Sequence, residues 1–109
     1  MNYNVEYHSN FKKELKPLAK KYPSIKNDLQ NLLNNIEKEL VLADDLGNGF
    51  KKIRINIKSK GKGKSGGARI ISYEILMSTE KTNVVLASIY DKSDFDNIDV
   101  NKLRKVLDI

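Results

Sequence analysis

From residue 52 to residue 58 the chain alternates strictly, Lys52-Ile53-Arg54-Ile55-Asn56-Ile57-Lys58, with isoleucine at every second position. Successive side chains of a strand point to opposite faces, so this stretch predicts a strand with one face buried and the other cationic. The buried face needs a cover, and the residues before it supply one. Phe11, Leu15, Leu18 and Tyr22 recur at helical spacing, followed by the stripe Ile25, Leu29, Leu32, Leu33, Ile36 and Leu40. Ser9 or Asn10 is the expected cap of the first helix and Ser24 of the second, with Pro17 producing a kink and Tyr22-Pro23-Ser24 the tight turn between two antiparallel helices.

The remaining segments complete the order. Tyr3, Val5 and Tyr7 alternate with polar neighbours and predict an N-terminal edge strand ending at His8, a residue read as structural. Residues 68–76 and 83–90 predict two further strands, joined through Gly66-Gly67 and the polar stretch 78–81 into an antiparallel meander; the last run is apolar enough to be covered on both faces. Asp99 can cap a terminal helix carrying Val100, Leu103, Val106 and Leu107. The expected fold is a single α+β domain over residues 1–109, β-α-α-β-β-β-α: a two-helix hairpin packed on one face of a small antiparallel sheet.

Some chemistries are excluded by residue types that are missing. The chain has no cysteine and one histidine, which removes disulfide scaffolds, Cys-ligated zinc, cysteine nucleophiles and two-histidine nucleases. No apolar run is longer than the four residues of Val84-Val85-Leu86-Ala87, far too short for a membrane span or a signal-peptide core, so a cytoplasmic protein without a membrane partner is expected. Asp44-Asp45 is expected in a loop after the second helix. Asp91, Asp94, Asp96 and Asp99 have turn and capping spacing, so no metal and no small-molecule cofactor is expected.

Charge is concentrated in one place. Residues 51–69, KKIRINIKSKGKGKSGGAR, hold six Lys, two Arg and no acidic side chain, whereas the other 90 residues carry 12 basic and 14 acidic groups. A localised positive field anchored between two strands is the signature of a polyanion site. Gly63-Lys64-Ser65 does not make it a nucleotide-binding loop: position 58 is lysine where that motif needs glycine, and a strand follows instead of a helix. If the meander forms, Arg54, Arg69 and Lys92 converge on one side of the sheet with Lys52 and Lys58 beside them, a phosphate-handling arrangement.

At these residues the chain resembles the RelE/HigB group of toxins from bacterial type II toxin–antitoxin systems over nearly its whole length. The resemblance is carried by FKKELKPLAKKYPS (11–24), by GKGKSGGARII (61–71), and by Tyr90-Asp91-Lys92-Ser93 followed by Asp96-Asn97-Ile98. It implies a RelE-like fold and an endoribonuclease that cuts translated messages on the ribosome, inhibits translation and is held inactive by a cognate antitoxin. Carried over by position, the catalytic set is Lys52, Arg54, Arg69 and Lys92. Founding RelE toxins have a further arginine where this chain has Ser93, and a tyrosine that is missing from 96–99.

The implied chemistry is metal-free attack by the RNA 2′-hydroxyl. Arg54 and Arg69 would hold the phosphorane charge, since a guanidinium grips phosphate oxygens and stays protonated. Lysine can serve as base where neighbouring positive charge and burial lower its pKa, and Lys52, Lys58 and Lys92 are the candidates. Lys58, Lys60, Lys62 and Lys64 would hold message or ribosomal RNA by its backbone. Two alternatives stay open: a ParE-like toxin that poisons DNA gyrase without nuclease activity, and a basic RNA-binding module without catalysis.

Overall fold

The computed structural model describes residues 2–95 and 97–109, and of Asn2 the backbone alone. Asp96 lies outside the described residues. In chain order the elements are β1 (Asn2–Tyr7), α1 (Ser9–Lys21), α2 (Ile25–Asn34), α3 (Ile36–Leu42), β2 (Asp44–Gly47), β3 (Phe50–Ile55), β4 (Ala68–Leu76), β5 (Lys81–Asp91) and α4 (Val100–Leu107), with a single 3-10 turn at Lys58–Lys60. The strands form one sheet in the order β1-β5-β4-β3-β2. The fold is α+β as expected, and the β3-β4-β5 meander is present with Arg54 opposite Arg69 and Arg69 opposite Tyr90.

Four details differ from the sequence expectation, each for a physical reason. The sheet is mixed, because β1 runs parallel to β5 while the other pairs are antiparallel. The long helix predicted over 25–40 breaks at Asn35, whose backbone leaves the helical region and whose side-chain amide donates to the carbonyl of Asn31 at 2.9 Å. Asparagine competes with the helix ladder in this way, and the apolar stripe is blind to it. Asp44-Asp45 does not lie in a loop but opens β2, with Asp44 in register with Lys52 and Asp45 with Lys51, an opposite-charge pairing across the hairpin.

The fourth difference concerns layering. Ile53, Ile55, Ile57, Ala68 and Ile70 pack with Phe11, Leu29 and Leu40 on the α1–α3 face, whereas Phe50, Ile71, Ala87 and Tyr90 pack with Leu103 and Leu107 of α4. The helices therefore cover both faces, not one. Ile70 and Ile71 are consecutive in β4 and both fully buried, so each face of the sheet must be covered there. Among the described residues no helix is long and apolar enough to cross a membrane.

Capping follows side-chain reach more than residue preference. Nδ1 of His8 accepts from the Asn10 amide at 3.0 Å and caps α1, the place expected for Ser9 or Asn10. Asn10 instead reaches across to β5, donating to the Ala87 carbonyl at 3.1 Å and to Glu14 at 2.8 Å, and Glu14 also accepts from Ser88 Oγ. Helix α1 runs through Pro17 without interruption. Asp99 caps α4 as expected, accepting from Asn101 and Lys102.

The lysine–glycine segment between β3 and β4 is an ordered loop tied down along its length. Its start is laced to α2: Ser24 and Ser59 exchange hydrogen bonds, and buried Asp28 accepts from Ser24 Oγ at 2.7 Å and from the Lys58 amide at 3.2 Å. Its end passes so close to β3 that a Cβ on Gly67 would lie 2.0 Å from the carbonyl oxygen of Ile55. Because that neighbour is backbone, Gly67→Ala is expected to destabilise the fold by about 3 kcal/mol or more. Denaturant unfolding measures this, and an unchanged midpoint would show that the loop does not approach β3 in this way.

Candidate functional site

The register pairing of Arg54 with Arg69 puts both guanidinium-bearing residues on one face of the sheet, since residues directly opposite across strands share a face. Lys52, two residues before Arg54, shares that face, and Tyr90 joins it as the partner of Arg69 on β5. Lys92 follows just past β5, its amide donating to the Gly67 carbonyl at 3.0 Å, which keeps it at the same end of the sheet. This is the face that α4 covers further along, where Ile71 and Phe50 take over from the cations. The four residues predicted for catalysis thus occupy one region.

The two arginines are not equivalent within it. Arg69 is 4% exposed; its Nη1 donates to the carbonyls of Lys64 (2.9 Å) and Ala68 (3.1 Å) and its Nη2 to that of Ser65 (3.0 Å). It fastens the end of the lysine–glycine loop to the sheet. Burial, and then the charge of Arg54, lower its pKa from the usual arginine value, with Tyr90 and Asp44 acting in the opposite direction. The Arg54 side chain is exposed and makes no hydrogen bond or ion pair among the described residues. Its guanidinium is thus uncommitted, whereas that of Arg69 beside it fixes the loop position.

The loop lysines divide in the same way. Lys58 and Lys62 are exposed and have no ion pair among the described residues. Lys64 donates to both carboxylate oxygens of Glu39 on α3, at 3.0 and 3.2 Å. Lys60, expected on an RNA-binding surface, is turned inward: its Nζ lies 2.6 Å from Asp91 Oδ1 and 2.7 Å from Ser93 Oγ, and its side chain is 12% exposed. The reason is the buried carboxylate of Asp91, which also accepts from the Tyr22 hydroxyl and the Ser93 amide. Burial alone would raise the Asp91 pKa; the Lys60 and Tyr22 hydrogen bonds outweigh it and hold the group well below the usual carboxylate range. The same bond to Asp91 raises the Tyr22 phenol.

Several neighbours of the site lie outside the set of residues expected from the sequence. Asp44 faces Lys52 and influences Arg69, Asn97 Oδ1 lies 3.5 Å from Lys52 Nζ, and Glu39 lines both clefts that meet at Arg54. Asp44 and Asn97 come from segments read as loop and turn, and Glu39 from a helix face read only for its apolar stripe. Period-2 spacing back from Lys92 could have found Tyr90. Among the described residues no group of three or more His, Cys, Asp or Glu side chains is placed to hold a metal ion.

A family model described as the RelE toxin of the RelE / RelB toxin-antitoxin system matches residues 9–109. This chain belongs to the RelE toxin family. As a RelE-family toxin it has a cognate antitoxin as its expected partner. The matched region takes in β3, the lysine–glycine loop, β4 and the turn after β5, and therefore every residue of the cationic site.

Arg69→Lys tests how the site is held. A lysine keeps the charge but has one donating group in place of a fork. It is expected to loosen the loop, seen as faster amide exchange at 62–66, with a small change in overall melting. Unchanged exchange there would show that the carbonyl contacts of Arg69 do not hold the loop.

Proposed function

We propose that this RelE-family toxin is an endoribonuclease that cuts translated messages on the ribosome and so arrests growth. The single observation that carries the reading is the Arg54–Arg69 register pair, one guanidinium open and one built in, beside Lys52 on a shared sheet face.

The cleavage is an internal displacement. The 2′-oxygen of the nucleotide before the cut attacks phosphorus and the P–O5′ bond breaks. The products are a 2′,3′-cyclic phosphate and a new 5′-hydroxyl. Charge builds on the non-bridging oxygens, where the Arg54 fork binds them in two places and the fixed charge of Arg69 adds to the field without reorganising. One proton must leave the 2′-hydroxyl and one must reach O5′; Lys52 and Lys92 are the groups assigned to these transfers. Lys58 and Lys62, with Lys64 where it leaves Glu39, hold the RNA backbone, while Lys60 acts as a strut. A site with no histidine among these groups depends on its substrate being held in the attacking geometry, and the ribosome supplies that hold.

The test is end mapping after induced expression. Cuts within translated frames, bearing 5′-hydroxyl and cyclic-phosphate ends, are expected for the natural chain and not for Arg54→Ala. Growth arrest with intact messages would instead assign the toxin to a non-nuclease target such as DNA gyrase. Tolerated expression without cuts would leave only RNA binding.

A further inference from the structure

Among the described residues β2 pairs with β3 only at Phe50, Lys51 and Lys52, so the same edge of β3 has no strand neighbour there from Ile53 onward. Between that edge and helices α2 and α3 lies a cleft of about 190 Å³, lined among others by Asn31, Leu32, Asn35, Glu39, Arg54 and Asn56. A second, smaller cleft of about 140 Å³ contains Lys52 and Asp44, and Arg54, Glu39 and Lys64 line both. Arg54 therefore stands between the cleft that holds Lys52 and a larger one that adds three side-chain amides to its cations.

That compartment has the chemistry of base recognition. Three side-chain amides (Asn31, Asn35, Asn56), the carboxylates of Asp28 and Glu39, and the cations Arg54, Lys58 and Lys64 line it together with Leu32 and Ile55, both nearly buried. The amides of Asn31 and Asn56 make no hydrogen bond among the described residues, so their donors and acceptors are uncommitted. Single-stranded RNA is read in this way, by bases turned out of the strand, laid on a flat surface and bonded along their polar edges. A base is one sugar away from its own phosphate. A phosphate held by Arg54 on the Lys52 side thus brings its base to the amide side.

We propose that this amide cleft takes one unpaired base of the RNA and favours bases with an exocyclic amine over uracil. The proposal rests on reading the chain as an RNA-cleaving toxin and names the part of the substrate next to the cut phosphate. Glu39 and the amide oxygens are acceptors; adenine, cytosine and guanine each offer an amine to them. Uracil offers a single N–H between two carbonyls, which would face the Glu39 carboxylate and leave acceptors unpaired. The amine takes over part of the Glu39 carboxylate that Lys64 now holds, and Lys64 turns to the RNA backbone.

The natural chain, isotopically labelled, is titrated separately with AMP, GMP, CMP and UMP, following the side-chain amide resonances of Asn31 and Asn56. Those resonances are expected to move with the first three nucleotides at concentrations at least ten-fold lower than with UMP. Equal response to all four, or shifts confined to the neighbourhood of Lys52 and Arg54, would overturn the proposal, the latter by showing a phosphate site alone. A second arm compares cut positions for the natural chain and for the Asn31→Ala/Asn56→Ala variant. The avoidance of uracil is expected to disappear in the variant, and its persistence would also overturn the proposal. Absence of any message cuts by the natural chain would defeat the nuclease reading, whereas the nucleotide titration decides the cleft independently.

Discussion

Arg54→Ala is expected to lower message cleavage by about 10²- to 10³-fold, the usual effect of deleting one preorganised group that stabilises transition-state charge. The side chain is exposed and makes no hydrogen bond or ion pair among the described residues, so its removal should leave stability within about 0.5 kcal/mol. That combination separates Arg54 from Arg69. Arg69→Ala removes a guanidinium bonded to three backbone carbonyls and should lose activity and loop order together. Arg54→Lys keeps a positive charge without the two-point grip and should fall between the parent and the alanine variant. Cleavage rates on a defined message, with thermal melting alongside, check all three. If Arg54→Ala cut at the parental rate, the cationic face would not be the cleavage site.

The second large effect is expected at Asp91. Its fully buried carboxylate is held by Tyr22, Lys60 and Ser93, and Asp91→Ala leaves the nearly buried Lys60 ammonium without its counter-charge. Breaking one side of a buried pair costs about 3–5 kcal/mol. Here Lys60 sits on a loop, keeps its bond to Ser93 and can swing towards water, so the lower end, about 3 kcal/mol, is expected. That corresponds to a fall in melting temperature of roughly 12–24 °C for a domain of this size. A Lys60→Met/Asp91→Leu double variant should recover part of the loss, because neither charge is then left alone in the interior. Full additivity of the two single losses would show that the residues are not coupled.

The same carboxylate sets a pH dependence. Its pKa is lowered on folding, so the unfolded chain takes up this proton first as the medium is acidified. The stabilisation is complete at neutral pH and begins to be lost as pH falls through the ordinary aspartate value, about 3.9, continuing to decline below it. Asp91→Asn should flatten the acid limb of a plot of stability against pH. An unchanged limb would assign the acid sensitivity to other carboxylates. Because Asp91 immediately precedes Lys92 and Ser93, loosening it should also displace the turn that carries Lys92.

Periodicity reports what a residue's own element does with its side chain. It located the cationic strand, the meander and the capping of α4 because alternation and helical stripes are set by local geometry. The pairing of Arg54 with Arg69 follows from that local pattern once the two strands are antiparallel neighbours joined through Gly66-Gly67. Adjacent buried isoleucines at 70 and 71 also carried the signal that both faces of the sheet are covered, although one face alone was assigned helices.

By itself, then, the sequence determined β1, β3, β4 and β5, the apolar stripes of the helices and the single segment in which positive charge gathers, since each is written in the spacing and type of neighbouring residues. Only the tertiary structure decided which of those cations stay open to solvent and which are tied to partners. Lys60 turns inward because the carboxylate of Asp91, 31 positions away, is buried there; Lys64 is held by Glu39; Arg69 becomes a strut while Arg54 stays open. A long charged side chain can point either to solvent or to a partner, and the balance is set by the burial and charge of groups that folding alone brings alongside it.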